Sequence, residues 1–301
     1  MSPRPRRIAI LADRGLGPPG PLRFPFARLM TASLVRQALE EDAADSDITS
    51  IATIATERRA RCRIVARKKG VIAGIPLARE AFRQRDKRAS VRSTVKDGQT
   101  VDAGSEVMFI TATPRGLLSA ERVALNYLQR LSGIATLTHE FVDAVAGTNA
   151  KILDTRKTTP GWRRLEKYAV RAGGGTNHRL DLAAAVLIKD NHLAALEGDV
   201  GLAVSRAREI APGKPVEVEC DNLDQVRAAL DAAAEIIMLD NMSLRALRDA
   251  VQLIDGRAVT EASGGVNLQT VRGIAETGVD WISVGALTHS VKALDLGLDF
   301  E

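Results

Sequence analysis

Five basic side chains that could bind an anion fall in three short polar segments between residues 154 and 192. They are Arg156 and Lys157, then His178 and Arg179, then Lys189. Cations gathered without a counter-charge repel one another and lose hydration, so this set predicts a substrate with several negative charges. Arginine suits planar carboxylate or phosphate groups, whereas lysine acts as a point charge.

Carboxylates and glycines occupy the next polar segments of the chain. Glu219 and Asp240 suit a Mg²⁺ ion that is held by one or two carboxylates together with substrate phosphates. Gly264, Gly265 and Gly285 offer backbone N–H groups to a phosphate. The combined pattern predicts a site for a phosphorylated sugar carrying a metal-bound pyrophosphate, beside a second anion.

The elements that must position these residues are six short apolar strands, each followed by a polar turn and a helix-like stretch. The strands are expected over residues 151–154, 186–189, 216–220, 236–240, 258–261 and 281–284. Repeated strand–helix units favour a parallel barrel, whose active sites lie on the loops after the strands. Alternation along residues 216–220 places Glu217 and Glu219 on one side of their strand, and Glu217 could be an interior partner for one of the cations.

The chain before residue 133 has a different pattern. A helix is expected over residues 26–41, followed over residues 48–113 by short strands in a mostly antiparallel α+β arrangement. A second helix is expected over residues 119–131, with Ser119 as its N-cap and Gly133 closing it. Arg122 would then lie in the first turn, where the helix dipole disfavours a cation unless an anion docks there.

We therefore divide the chain into a flexible extension (1–27), a first domain (28–132), a barrel domain (133–289) and a tail (290–301). Six of the eleven prolines lie in residues 1–25, which is typical of a poorly ordered segment.

Composition excludes several classes of protein. In a chain of 301 residues, 45% are apolar and 26% are charged, as in soluble globular proteins. No apolar run approaches the roughly 18 residues that an integral membrane protein needs. The N-terminus lacks the apolar core of a signal peptide, and Cys62 and Cys220 are too far apart for a zinc motif or a disulfide framework. We expect a cytoplasmic protein.

The positive charge also allows a nucleic-acid-binding protein as an alternative. The net charge is +5, and residues 58–88 contain twelve Lys or Arg residues against Glu80 and Asp86. Aromatic residues are only 3% of the chain, which leaves few side chains to stack on unpaired bases. Solvated strand faces and a subunit contact explain the same charges.

Long motifs in a fixed order resemble the quinolinate phosphoribosyltransferase family, which produces nicotinate mononucleotide for de novo NAD biosynthesis. They are DTRKTTPG (154–161), GGGTNHR (173–179), LIKDNH (187–192), LDNM (239–242), EASGG (261–265) and VGALTHS (284–290). The resemblance covers nearly all of residues 28–301. It implies an α/β sandwich domain and an incomplete, TIM-like α/β barrel of the type II phosphoribosyltransferases.

The resemblance also implies the reaction and the assembly. Quinolinate and phosphoribosyl pyrophosphate would react with Mg²⁺ to give nicotinate mononucleotide, pyrophosphate and CO₂. The protein would be a homodimer or a higher oligomer, and the sandwich of one subunit would face the barrel of another. The C-terminal tail would return to the sandwich.

Site residues carry over by matching positions in the motifs. Arg156, His178, Arg179 and Lys189 would surround the quinolinate carboxylates, with Arg122 entering from the partner subunit. Lys157 would lie between the substrates, and Glu219 and Asp240 would serve the metal and the ribose. The residues expected to act in catalysis are Lys157, Lys189, Glu219 and Asp240; those expected at the 5′-phosphate are Ser263, Gly264, Gly265, Gly285 and His289.

Three positions depart from the family pattern: Ser46 stands where glycine is usual, and Asp181 and Ala184 replace a Gly and an Asp after the NHR motif. Asp181 adds a negative charge that could weaken quinolinate binding at Arg179. The alternatives within the superfamily are a molybdate-cluster paralogue and a nicotinate-specific phosphoribosyltransferase. The intact KDNH motif that begins at Lys189, and the number of cations, disfavour both.

Overall fold

The computed structural model describes residues 20–55 and 58–301. The described chain forms two compact units. The sandwich unit comprises residues 22–139, 164–174 and 291–301, and the barrel unit comprises residues 140–163 and 175–290 together with residues 20–21.

The sandwich unit contains a four-stranded antiparallel sheet in the order β12-β1-β5-β3 and a two-stranded sheet of β2 and β4. This agrees with the mostly antiparallel pattern expected before residue 113. Its strands are β1 (Ala60–Ala66), β2 (Gly70–Val71), β3 (Ser90–Ser93), β4 (Thr100–Val101), β5 (Glu106–Ala112) and β12 (Leu296–Phe300). Its helices are α1 (Arg28–Glu41), a 3₁₀ turn (Ala44–Ser46), α2 (Ile48–Thr53), α3 (Ile75–Arg85), α4 (Pro114–Ala144, which continues into the barrel unit) and α5 (Arg163–Ala172).

Helix α4 corrects the prediction of a short helix over residues 119–131. It begins at Pro114 and continues through Gly133 to Ala144. Ser119 is therefore not an N-cap; its Oγ is buried and accepts a hydrogen bond from Arg85 Nε at 3.0 Å. A Cβ at Gly133 would collide with the carbonyl oxygen of Lys292, so this glycine permits a close approach of the C-terminal segment and does not end the helix.

The long helix also removes the argument that placed Arg122 in a first turn. Arg122 lies about two turns inside α4, where the effect of the helix dipole has faded. Its side chain is exposed. A substrate role for Arg122 therefore rests on the family resemblance.

The end of the predicted flexible extension is packed against the sandwich unit. The ring of Phe24 makes an edge contact with Tyr168, with 5.3 Å between ring centroids. The Arg164 guanidinium lies over the ring of Phe26 at 5.7 Å. The extension predicted over residues 1–27 is therefore wrong for residues 22–27, while residues 1–19 lie outside the described part of the chain.

The barrel unit contains a six-stranded sheet in the order β6-β11-β10-β9-β8-β7, with every neighbouring pair parallel. Its strands are β6 (Lys151–Leu153), β7 (Val186–Ile188), β8 (Val216–Cys220), β9 (Ile236–Asp240), β10 (Val259–Ser263) and β11 (Trp281–Ser283). Its helices are α6 (Asp190–Ala194), α7 (Val200–Ile210), α8 (Leu223–Asp231), α9 (Leu244–Ile254), α10 (Val271–Ala275) and α11 (Ala286–His289).

The sheet confirms the predicted incomplete barrel. All six expected strands form, and their ends differ from the prediction by at most two residues. Strands β6 and β7 are the two end strands of the sheet, and Leu153 of β6 forms a parallel bridge with Thr176. A cluster of buried apolar side chains fills part of the interior: Leu153, Ala185, Ile236, Val259 and Trp281. Because the strands are parallel, their carboxyl ends lie at one edge, where the predicted site residues follow them.

The basic segment over residues 58–88 is partly neutralised within the sandwich unit, where four of its twelve Lys and Arg residues form ion pairs with other described residues. Arg63 Nη1 lies 2.7 Å from Glu106 Oε1, and Arg67 Nη2 lies 2.5 Å from Asp299 Oδ1. Arg85 pairs with Asp45. These ion pairs favour the interpretation as solvated strand faces over a nucleic-acid surface. Among the described helices, none is long and apolar enough to cross a membrane.

Candidate active site

A cavity of about 740 Å³ lies at the carboxyl ends of the barrel strands. This volume is within the range of small-molecule sites. Every residue proposed from the sequence except Arg122, which belongs to the sandwich unit, lines it. They are Arg156, Lys157, His178, Arg179, Lys189, Glu219, Asp240, Ser263, Gly264, Gly265, Gly285 and His289.

Two of the arginines that line this cavity have buried donor atoms. The Nε atoms of Arg156 and Arg179 are buried and have no hydrogen-bond partner among the described residues. Arg179 Nη1 donates to the carbonyl of Ala185 at 3.0 Å. Burial lowers the pKa of Arg179, and the positive charge of Arg156 lowers it further. Two guanidinium groups in this setting predict an anionic ligand with more than one charged group.

The loops that carry the arginines are joined by Asp154, which follows β6 and is fully buried. Its carboxylate accepts the backbone N–H of His178 at 2.8 Å and the side-chain amide of Asn177 at 2.5 Å. These bonds connect the DTRK segment to the NHR segment. The position of Arg179 relative to Arg156 is therefore set by a buried carboxylate that does not itself line the cavity.

Lys189 and Glu219 form an ion pair across neighbouring strands. Lys189 Nζ lies 2.6 Å from Glu219 Oε2. Strands β7 and β8 run in parallel register, and the two residues follow matching positions on them. The family resemblance assigns Lys189 to quinolinate and Glu219 to the metal, so this contact joins two groups that were expected to serve different substrates.

Asp240 ends β9 and is held by its neighbour Asn241. Asn241 Nδ2 donates to Asp240 Oδ2 at 2.6 Å, and its backbone N–H donates to the carbonyl of Ser263. Asn241 has a φ of 51°, which an asparagine tolerates better than most residues. Gly264 has a φ of 90°, and a Cβ there would collide with the Asn241 side chain, so only glycine fits.

Lys157, Gly285 and His289 meet at another part of the cavity. Thr288 Oγ1 donates to the carbonyl of Lys157 at 2.7 Å, which ties the Lys157 loop to α11. A Cβ at Gly285 would lie 3.0 Å from His289 Nε2 and 3.2 Å from Lys157 Cδ. The absence of a side chain at Gly285 therefore leaves room for both basic residues beside the same loop.

A buried cluster of His178, Glu217 and Glu261 lies in the barrel. His178 Nε2 lies 3.1 Å from Glu217 Oε2 and 3.4 Å from Glu261 Oε2. Ser283 Oγ also donates to Glu261. Burial raises the pKa of Glu217, and the neighbouring Glu261 carboxylate raises it further. Glu217 thus lies beside one of the basic side chains, His178, as strand alternation suggested.

Family models match both parts of the chain. The N-terminal domain model of quinolinate phosphoribosyl transferase matches residues 47–132, and the C-terminal domain model matches residues 134–299. The chain belongs to the quinolinate phosphoribosyltransferase family.

Named relatives and solved structures agree with this family. A nicotinate-nucleotide pyrophosphorylase [carboxylating] from Mycobacterium leprae is 48% identical over 88% of this chain and 95% of its own length. A probable one from Bacillus subtilis is 42% identical over 90% of this chain and 93% of its own. The nicotinate-nucleotide pyrophosphorylase structure from Francisella tularensis has a TM-score of 0.87 and 39% identity, covering 92% of this chain and 98% of that one.

Two residues that line the cavity, Glu261 and Asn241, were not predicted from the sequence as site residues. Glu261 lies in the EASGG motif, two positions before Ser263, and lines the cavity. Alternation along β10 puts the two on one side of the strand, which could have indicated an inward-facing carboxylate. Asn241 follows Asp240 and also lines the cavity, but its left-handed backbone conformation has no clear signature in the sequence.

Proposed function

We propose that this quinolinate phosphoribosyltransferase family member transfers the phosphoribosyl group of phosphoribosyl pyrophosphate to quinolinate and releases pyrophosphate and CO₂. The product is nicotinate mononucleotide. The observation that carries the proposal is the pair of arginines, Arg156 and Arg179, which both line the cavity and whose buried Nε atoms have no hydrogen-bond partner among the described residues. A pyridine dicarboxylate has two planar carboxylates, one to pair with each of these guanidinium groups.

Glu219 and Asp240 fit a Mg²⁺ site on the phosphoribosyl side of the cavity. They lie at the carboxyl ends of the paired strands β8 and β9, and both line the cavity. Carboxylate oxygens are the hard ligands that Mg²⁺ prefers alongside substrate phosphates. When bound, Mg²⁺ would neutralise charge on the pyrophosphate leaving group.

The protein's own residues mainly position the two substrates. In the reaction the pyridine nitrogen forms a bond to ribose C1 as the bond from C1 to pyrophosphate breaks. Lys157, placed beside Gly285 and His289, would stabilise negative charge on the departing group, while carboxylates near the ribose stabilise positive charge at C1. The positive charge of the ring then stabilises the electron pair that is left at C2 as CO₂ departs. A proton adds at C2 to complete the product.

Neither cysteine is proposed as a nucleophile. Burial raises the pKa of Cys62 and of Cys220 to about 12, so both thiols remain protonated. The 5′-phosphate is assigned to Ser263, Gly264, Gly265, Gly285 and His289. Gly264 and Gly265 both have positive φ, a conformation that turns successive N–H groups toward one ligand.

The proposal includes a cytoplasmic homodimer in which Arg122 of one subunit contributes to the site of the other. Its support is the family resemblance together with the exposed position of Arg122 on α4. An anion in the barrel cavity would then be contacted by a cation from a second chain.

Nicotinate is expected to be a poor substrate in place of quinolinate. It has one carboxylate, so it would leave either Arg156 or Arg179 without a counter-ion in a buried position. We expect kcat/KM with nicotinate to be lower than with quinolinate by a factor on the order of 10³ or more.

Steady-state assays with both substrates, at fixed phosphoribosyl pyrophosphate and Mg²⁺, check this expectation. Phthalate, which has both carboxylates but no ring nitrogen, is the matched control and should inhibit competitively against quinolinate. Comparable turnover of nicotinate and quinolinate would contradict the assignment of the two arginines to two carboxylates.

A further inference from the structure

His178 is held inside the protein at three points. Its backbone N–H donates to Asp154 Oδ1 at 2.8 Å, and its Nε2 faces the carboxylates of Glu217 and Glu261 at 3.1 and 3.4 Å. Its Nδ1 accepts the backbone N–H of Arg179 at 2.8 Å. The side chain is 6% exposed, and both glutamates are fully buried. Its Nδ1 therefore accepts a hydrogen bond, and its Nε2 lies within ion-pair distance of two carboxylates.

The contact at Nδ1 fixes the tautomer of the ring. A nitrogen that accepts a hydrogen bond carries no proton, so a neutral ring carries its proton on Nε2, the nitrogen nearest the two carboxylates. Burial lowers the pKa of His178, and the Glu261 and Glu217 carboxylates raise it by more. A second ring proton would nevertheless have to sit on Nδ1, directly against the Arg179 amide.

The same contact argues against a metal ion in this cluster. One histidine nitrogen and two carboxylates lie within 4.8 Å of one another, which is a possible ligand set. Neutral imidazole that binds a metal through Nε2 carries its proton on Nδ1. That proton would again oppose the Arg179 N–H, so the arrangement matches a hydrogen-bonded anchor.

The residue that this anchor fixes is Arg179. Its backbone N–H is held by His178 and its Nη1 by the carbonyl of Ala185, and the residue lines the cavity. We propose that His178 is a positioning residue, anchored by Glu217 and Glu261, that aligns Arg179 for a substrate carboxylate and does not contact the substrate through a ring nitrogen.

This inference rests on the proposed function, and a double-mutant cycle tests it. His178→Gln keeps an amide donor toward the glutamates but has no acceptor at the position of Nδ1, where the Arg179 N–H is held. We expect it to weaken quinolinate binding about tenfold in the native background. In an Arg179→Ala background the same change should weaken quinolinate binding less than about twofold, because the guanidinium that His178 positions is already absent.

Calorimetric titration with quinolinate provides the affinities, and thermal unfolding of each variant confirms that it is folded. An equal loss in both backgrounds would overturn the inference, because it would mean that His178 contacts quinolinate directly. Failure of the unmodified protein to bind quinolinate would instead reject the proposed function, so the two failures are distinguishable.

A second measurement observes the unmodified protein and uses the His178→Gln variant only to assign signals. In protein labelled with ¹⁵N-histidine, the His178 ring should show a protonated Nε2 and an unprotonated Nδ1, both before and after quinolinate is added. The His178→Gln spectrum assigns its signals among the four histidines of the chain. A ring that gains a proton on Nδ1, or changes tautomer when quinolinate binds, would contradict the positioning role.

Discussion

Replacing Glu219 by Gln together with Asp240 by Asn is expected to lower kcat by a factor on the order of 10³ while quinolinate still binds. The two carboxylates are proposed to serve the metal and the ribose, so their loss removes stabilisation that develops as the bond at ribose C1 breaks. Quinolinate depends on the cations, and the Glu219 change frees Lys189 from its 2.6 Å ion pair. Quinolinate affinity should therefore be unchanged or slightly stronger.

Steady-state kinetics and calorimetric titration with quinolinate measure the two effects separately. The matched control is Glu209→Gln with Asp231→Asn, which removes the same charges from exposed positions on α7 and α8 of the barrel unit. That variant should retain near-normal kcat. Loss of quinolinate affinity in the Glu219 and Asp240 variant would show that the division of roles between carboxylates and cations is wrong.

Mixing Arg122→Ala protein with Lys189→Ala protein is expected to restore activity that neither variant has alone. If each site takes Arg122 from one subunit and Lys189 from the other, a mixed dimer contains one intact site and one doubly damaged site. Statistical exchange makes half of the dimers mixed, so about a quarter of normal activity should return. The expectation rests on the family resemblance, since Arg122 lies inside α4 and not in its first turn.

The mixing experiment has a matched control in the pair Arg156→Ala and Lys189→Ala. Both residues line the same barrel cavity, so every site in a mixed dimer would carry one of the two changes. No activity should return in that mixture. Native mass spectrometry, with one of the two proteins isotopically labelled, shows whether subunits exchange. If Arg122→Ala and Lys189→Ala subunits exchange and no activity returns, Arg122 lies in its own chain's site or outside any site.

The barrel was predictable because its physical requirements appear in local sequence. Parallel strands buried on both faces form short apolar runs, and the polar segments after them mark the carboxyl ends of the strands. Residues such as Arg156 and Asp240 were placed at the correct edge without knowledge of the order of strands. Their convergence on one cavity follows from the parallel direction of all six strands.

The features that were missed depend on tertiary contacts. Gly133 resembles a helix end in the sequence, yet α4 continues through it. The glycine is needed there because the backbone of Lys292, which is distant in sequence, passes close to it. The Lys189–Glu219 pair follows from the neighbouring positions of β7 and β8. Glu261 was not recognised as a site residue because its role depends on its contact with His178, which is distant in sequence.

Product analysis tests the central claim most directly. The protein is incubated with phosphoribosyl pyrophosphate, Mg²⁺ and quinolinate labelled with ¹⁴C at the 2-carboxylate. Labelled CO₂ and nicotinate mononucleotide should appear in equal amounts, together with pyrophosphate, and omission of either substrate should abolish all three. Absence of nicotinate mononucleotide, or its formation without release of labelled CO₂, would contradict the proposed reaction.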